Sequence, residues 1–228
     1  MRGGELIAAG SLIVSCQADP GSPFATPEFI AAFAEAAVRG GALALRLEGV
    51  ANIRTVRAQQ NVPIIGLTKR RQGEFGDIYI TPHFEDVEAV ANAGADLIAF
   101  DATTRERPVT VAKLVEAVHT HSKLALADVS TVQEAVWALE AGADCVSTTL
   151  SGYTSYSPQQ DGPDLKFISD LAALGIRPLA EGRIRNPEEA REALDRGAYA
   201  VVVGSAITRP EVVTGWFRDA LEPQATLG

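Results

Sequence analysis

Eight short apolar runs rich in Val, Ile, Leu and Ala recur along this chain, each followed by a longer amphipathic stretch punctuated by Glu and Arg. Repeated βα units produce that alternation, because a parallel strand buried on both faces reads as continuous hydrophobic sequence and the helix covering it reads as amphipathic. The runs lie at Leu12–Ala18, Ala42–Glu48, Val62–Lys69, Asp96–Thr103, Lys123–Val129, Asp144–Thr149, Arg177–Arg183 and Ala200–Ile207, with a short extra strand at Ile78–Thr81. Eight strands predict closure into an α/β fold of the (β/α)8 TIM-barrel type, and 228 residues is near the usual length for it. The competing open, doubly wound sheet lacks its dinucleotide fingerprint: Gly40-Gly41 follows a helix, and Gly49 opens no glycine-rich phosphate loop. Nothing resembles an interdomain linker, so a single domain over residues 1–228 is expected, with a short N-terminal helix before the first strand.

The punctuation agrees. Three helices hand over to the next strand through Asn92-Ala93-Gly94-Ala95-Asp96, Glu140-Ala141-Gly142-Ala143-Asp144 and Asp195-Arg196-Gly197-Ala198-Tyr199, where a left-handed glycine closes the last turn. Thr26-Pro27 and Asn186-Pro187 each set a capping residue before a proline at the first helical position. The polar stretch Ser155–Gly162 reads as a strand-to-helix loop of the kind that covers a barrel mouth.

A net charge of −9 with no basic run argues against a nucleic-acid partner, and it requires any phosphorylated ligand to be captured by a local cluster of donors. No segment approaches the ~18 apolar residues of a membrane span. Residues Leu6–Val14 and Ile13-Val14-Ser15-Cys16 mimic a lipoprotein cleavage box. Glu5 interrupts the charged start, Gly10-Ser11 breaks the apolar run, and cleavage would remove the first strand, so a cytoplasmic protein is expected. Cys16 and Cys145 sit in apolar runs as buried thiols, which fits a reducing compartment.

Barrel enzymes build their sites at the C-terminal ends of the strands. There the chain offers Gln17, Arg46 and Glu48, Lys69, Asp101 and Arg105, Asp128, Ser147 to Thr149, Glu181 and Arg183, and Gly204-Ser205. Glu48 and Arg70 read as solvated charges. On the second strand Leu43, Leu45 and Leu47 alternate with Ala42, Ala44 and Arg46, which directs the arginine into the mouth, to a ligand or to an ion pair with Asp128 or a neighbour. Gly182 and Gly204-Ser205, on the last two strands with Arg183 and Arg209 nearby, suit the phosphate site common in barrels. Lys69 and Glu181 end the third and seventh strands, which lie opposite in an eight-stranded barrel, and they form the candidate acid–base pair. A lysine acts as a base only when burial or a neighbouring cation such as Arg46 lowers its pKa. His83, His119 and His121 have no metal-ligand spacing, Asp101 and Asp128 more naturally pair with arginines than with a divalent ion, and Ser205 has no histidine partner, so neither metal nor cofactor is expected.

Several stretches together resemble the bacterial N-acetylmannosamine-6-phosphate 2-epimerase family over nearly the full length. They include Leu12-Ile13-Val14-Ser15-Cys16-Gln17-Ala18, Ala44-Leu45-Arg46, Gly66-Leu67-Thr68-Lys69-Arg70, Asp101 to Pro108, Ala127-Asp128-Val129-Ser130, Thr148 to Thr154, Ala180-Glu181-Gly182-Arg183 and Val203 to Pro210. The resemblance implies an isomerase that converts N-acetylmannosamine 6-phosphate to N-acetylglucosamine 6-phosphate in sialic acid catabolism, through an enolate. It implies Lys69 and Glu181 as catalytic residues and Gln17, Arg46, Asp128 and Arg209 as substrate contacts; Tyr153, within the Thr148 to Thr154 stretch, is expected as a further contact, and Asp128 is expected to orient Lys69 or a sugar hydroxyl. Phosphate then falls to Gly182, Arg183, Gly204 and Ser205. The Gly-Leu-Thr-Lys stretch and Ser155–Gly162 depart from the family pattern. Another phosphosugar isomerase, a Schiff-base aldolase using Lys69, and a non-catalytic phosphosugar-binding protein are the competing readings. Barrels of this size often pair, so the sequence admits a homodimer.

Overall fold

The computed structural model describes residues 6–72 and 77–222. Eight parallel strands close the barrel: β1 (Leu12–Cys16), β2 (Ala44–Glu48), β3 (Ile64–Leu67), β6 (Leu97–Asp101), β7 (Leu124–Asp128), β8 (Cys145–Ser147), β9 (Leu179–Glu181) and β10 (Ala200–Val203). Between β3 and β6 the chain makes a separate antiparallel hairpin, β4 (Lys69–Gln72) and β5 (Asp77–Ile80), with Lys69 opposite Ile80. The crossover helices are α1 (Pro27–Arg39), α2 (Val50–Arg57), α3 (Phe84–Asn92), α4 (Val111–Thr120), α5 (Val132–Glu140), α6 (Leu165–Ala173) and α7 (Pro187–Asp195). A single turn, α8 (Ser205–Thr208), and the terminal α9 (Pro210–Leu221) complete the chain.

The helix signals act as read. Thr26 and Asn186 accept hydrogen bonds from the N–H groups of Phe29 and Glu189, with Pro27 and Pro187 opening their helices. Gly94, Gly142 and Gly197 have φ of 103°, 99° and 104°, the left-handed turn-closing conformation. The eight expected strands all form, with three corrections. Lys69 does not end the third strand but begins the hairpin, whose second strand is the extra one expected at Ile78–Thr81. The last strand stops at Val203, and Ser205–Thr208 turn helical, since Gly204 at φ −113°, ψ −87° bends the chain out of the sheet. The short helix expected before the first strand falls partly on residues outside those described, and the described residues 6–11 make turns rather than helix.

Strand periodicity separates two cores. Ile13, Ala44, Ile65, Leu97, Ala99, Leu126, Cys145, Leu179, Ala200 and Val202 point inward and fill the barrel. Val14, Leu45, Leu47, Ile64, Ile98 and Phe100 point outward under the helices. No described helix is long and apolar enough to cross a membrane. At Gly66 α2, α3 and the segment after α3 press on the sheet: a Cβ there would lie 2.7 Å from Ala95 Cβ and Val90 Cγ1 and 3.0 Å from Ile53 Cδ1. Gly66→Ala should therefore cost about 1–3 kcal/mol by overpacking. Chemical unfolding would measure it, and an unchanged midpoint would mean the helices can back away.

Candidate active site

The inward positions change from apolar to polar as each strand rises. Above Ile13, Ala44, Leu126, Cys145 and Leu179 stand Ser15, Arg46, Asp128, Ser147 and Glu181, at the end where the βα loops gather. They lead into a cavity of about 710 Å³ whose lining includes every residue singled out above as catalytic, substrate-contacting or phosphate-binding, except Asp128, which lies fully buried beneath. Among the described residues cations dominate the wall: Arg46, Lys69, Arg105, Arg183, Arg185 and Arg209 against the one carboxylate of Glu181. A chain of net charge −9 thus opens a locally positive mouth suited to an anion.

Arg46, only 1% exposed, is the centre of the floor. Its Nη1 and Nη2 donate to Asp128 Oδ1 and Oδ2 at 3.2 and 2.7 Å, and its Nε stands 3.2 Å from Glu181 Oε2. The ion pair with Asp128 expected as one of two roles for Arg46 is therefore formed, while the arginine still reaches the cavity. Burial works against the arginine's charge, but Asp128 and Glu181 more than offset it, and its pKa is raised. Burial likewise pushes both carboxyls upward, with Arg46 the main opposing influence. Asp101, the other strand-end aspartate, pairs with Arg105 and Arg107, as carboxylates at barrel mouths tend to do.

Lys69 enters the mouth from the start of the hairpin, and Glu181 faces it from β9, the barrel strand opposite β3. Three anchors hold the hairpin. Thr68 and Thr81 exchange hydrogen bonds at its base, Arg70 pairs with buried Asp86 at 2.7 Å, and Arg105 stacks over the Tyr79 ring at 4.4 Å while donating to Ile78 O. Lys69 Nζ donates to Gln17 Oε1 at 2.5 Å, and Gln17 Nε2 donates to Ser15 Oγ at 2.9 Å. Gln17, expected to contact substrate, thus also aims the lysine, and Asp128, expected to orient it, is committed to Arg46 and Thr149. Solvent reaches Lys69 from the open side, yet withdrawal of its ammonium from bulk water lowers its pKa. Arg46 adds to the lowering against the opposite pull of Glu48, Glu181 and Asp128.

The far wall is built for backbone recognition. Gly182 has φ 121° with open space where a Cβ would point, and Arg183 follows at φ 57°, so the backbone after β9 lies open to the cavity with no side chain over Gly182. Gly204 packs over Ser15, where a Cβ would stand 3.3 Å from Ser15 Cβ, and it begins the α8 turn with Ser205. Arg209 pairs with Asp19 and reaches Ser205 Oγ at 3.4 Å. Arg183 does more than line the wall. Its Nε and Nη1 donate to Gly162 O and Ser151 O at 2.8 and 2.7 Å, which straps the Ser155–Gly162 loop to the mouth and sets its guanidinium 5.9 Å from the Tyr153 ring.

Three parts of this architecture had no role assigned from the sequence, where Thr149 stood only as one polar strand end among several. Thr149 Oγ1 touches both Asp128 and Glu181, at 2.8 and 2.9 Å. Glu134, 1% exposed, accepts from Ser130, Thr131, Thr104 and Tyr156, joining the loops after β6, β7 and β8. Arg185 stacks on Trp216 of α9 at 5.3 Å and closes the outer wall. A parity count inward along Cys145, Ser147 and Thr149 points to the first, and the capping box Thr131-x-x-Glu134 to the second.

A family model described as "Putative N-acetylmannosamine-6-phosphate epimerase" matches residues 30–223. The chain is 48% identical over 222 residues to a "Putative N-acetylmannosamine-6-phosphate 2-epimerase" of Salmonella arizonae, covering 97% of this chain and 96% of that protein. It is 49% identical over 216 residues to the "Bifunctional enzyme NanE/NanK" of Brucella melitensis, covering 95% of this chain and 42% of that one. Among solved structures it is similar to the N-acetylmannosamine-6-phosphate 2-epimerase from Clostridium perfringens, at TM-score 0.89 and 44% identity, covering 93% of this chain and 94% of that chain. A dihydropteroate synthase of Xanthomonas albilineans, at TM-score 0.62, 18% identity and 95% coverage of both chains, shares the fold alone.

Proposed function

The chain belongs to the N-acetylmannosamine-6-phosphate epimerase family, isomerases that convert N-acetylmannosamine 6-phosphate to N-acetylglucosamine 6-phosphate in sialic acid catabolism, and we propose that it inverts C2 through an enolate with Lys69 and Glu181 moving the proton. One observation carries the mechanism: a lysine with lowered pKa and a carboxyl with raised pKa line one cavity from opposite sides of the barrel. Environments that make a lysine easier to deprotonate and a carboxyl easier to protonate suit the two groups to the roles of base and acid.

The open-chain sugar binds with its phosphate toward Gly182, Gly204 and Ser205, with Arg209 and Arg183 supplying charge, and with Gln17 and Tyr153 beside the sugar chain. This grip holds a flexible substrate in a reactive pose. Neutral Lys69 takes the C2 proton, which is acidified by the adjacent aldehyde, and becomes an ammonium. Arg46 and Gln17 stabilise the enolate oxygen. Glu181 then delivers its proton to the opposite face of C2 and is left as a carboxylate, so inversion follows from the opposed placement of the two groups. Lys69, reached by solvent, exchanges its proton with water before the next cycle.

In deuterated water, product of the first turnovers should carry deuterium at C2, because the incoming hydrogen derives from an exchangeable group. A proton NMR time course with N-acetylmannosamine 6-phosphate reads this directly. Product that keeps its original C2 hydrogen through many turnovers would replace the enolate with a hydride or bond-cleavage route.

The same reading places the enzyme in the cytoplasm as one domain with no nucleic-acid partner, which its net charge of −9 supports. It also takes the enzyme as a homodimer. In a single chain α9 buries none of its residues and leaves Phe217 and Leu221 69% and 83% exposed.

A further inference from the structure

Proton counting at Thr149 adds a part to this site that the acid–base pair alone does not supply. Thr149 Oγ1 stands 2.8 Å from Ser147 Oγ, 2.8 Å from Asp128 Oδ1 and 2.9 Å from Glu181 Oε2. A hydroxyl has one proton to give and two lone pairs to receive with, so it satisfies three partners only by donating once and accepting twice. Ionised carboxylates accept only. With both Asp128 and Glu181 ionised, one of the two contacts would set lone pair against lone pair at hydrogen-bond distance in a buried site. With Ser147 donating and one carboxyl protonated, all three contacts are satisfied.

Arg46 decides which carboxyl holds the proton. It gives Asp128 two directed hydrogen bonds, whereas its Nε, 3.2 Å from Glu181 Oε2, is not aligned to donate and has no hydrogen-bond partner among the described residues. The anion therefore belongs on Asp128. The charge count agrees, since one guanidinium buried between two carboxyls is balanced when only one is ionised. Burial and the neighbouring Asp128 charge raise the Glu181 pKa and act in the same direction, whereas Arg46 and a Thr149 hydroxyl that donated to Glu181 would lower it, so the direction of the Thr149 bond is what the proton count at its three partners decides.

We infer that Thr149 is a positioning residue that keeps Glu181 protonated, accepting a hydrogen bond from the Glu181 carboxyl while donating its own to the Asp128 carboxylate. This rests on the epimerase reading for its use in catalysis. As Glu181 breaks its O–H bond and a C–H bond forms at C2, the carboxylate left behind lies within reach of the Thr149 hydroxyl, which turns its proton from Asp128 to Glu181. Lys69 holds the proton taken from substrate, so charge within the site is conserved until water resets both groups.

Infrared difference spectroscopy of the sugar-free protein tests this, because a protonated carboxyl has its own C=O band. At neutral pH the wild type should show a carboxyl band that disappears in Glu181→Gln and survives in Asp128→Asn. In Thr149→Val, which keeps the side-chain shape and loses the hydroxyl, the titration midpoint of that band should move down by about one pH unit, the size of one ordinary hydrogen bond. Thr149→Ser should restore it. A hydroxyl that merely donated to an ionised Glu181 would move the midpoint up, and one that only packs would leave it in place; either result overturns the relay. So does a wild type with no Glu181-dependent band, or a band that depends on Asp128 instead, and this comparison needs no folded Thr149 variant. Since no sugar is present, loss of the band refutes the relay and leaves epimerisation standing, whereas an intact band without turnover refutes the epimerase reading alone.

Discussion

Lys69→Ala and Glu181→Gln should each lower kcat by roughly 10²- to 10⁴-fold, the usual contribution of a positioned acid or base. Neither change should unfold the barrel. Lys69 stands on a hairpin outside the closed sheet, and a glutamine in place of Glu181 can still meet Thr149 and Arg46. The two losses should differ in kind. With Lys69 present, Glu181→Gln should still remove the C2 proton and wash deuterium into unreacted substrate while failing to invert it, whereas Lys69→Ala should lose exchange and inversion together. The double variant should be little slower than the worse single one, because the two groups act as a unit. Near-normal rates in both single variants would sink the assignment.

The largest stability effect is expected at Arg46. Replacing it with methionine removes the cation that, among the described residues, pairs with fully buried Asp128 and with Glu181. Breaking a buried ion pair by deleting one partner costs about 3–5 kcal/mol, since the remaining charge is left without compensation. Adding Asp128→Asn to Arg46→Met should recover part of that loss, because it removes the stranded anion along with its partner. Denaturant unfolding of the wild type and the two variants measures both quantities. A loss for Arg46→Met within the roughly 0.5 kcal/mol of an ordinary surface change would mean that the floor holds no ionised carboxylate.

Where the sequence reading succeeded, the physics was local. Each barrel strand is buried on both faces and so announces itself as an apolar run, and each helix end carried its cap or its glycine. It failed where structure is set by partners distant in sequence. Lys69 to Gln72 are polar and look like the fringe of the third strand, because their partner strand, Asp77–Ile80, pairs with them rather than with the barrel. Ala206 and Ile207 extend an apolar run, so the turn at Gly204 that makes them helical was hidden. Arg183 was legible as a charge near phosphate-binding glycines, but its grip on Ser151 and Gly162 depends on a loop whose path the sequence does not signal. Thr149 reads as an ordinary strand end until the inward parity of β8 is counted.

The hairpin under Lys69 ties activity to arithmetic. Side chains along a strand alternate between faces, so the lysine points into the mouth only while Lys69 stays opposite Ile80. Insertions or deletions in the connection between the two strands that preserve this pairing leave the lysine where it is. A slip by one residue would turn it to the other face with the barrel untouched. Lineages of such enzymes should therefore tolerate wide drift in hairpin length alongside strict conservation of phase, and a designer who lengthens the hairpin should move its residues in pairs.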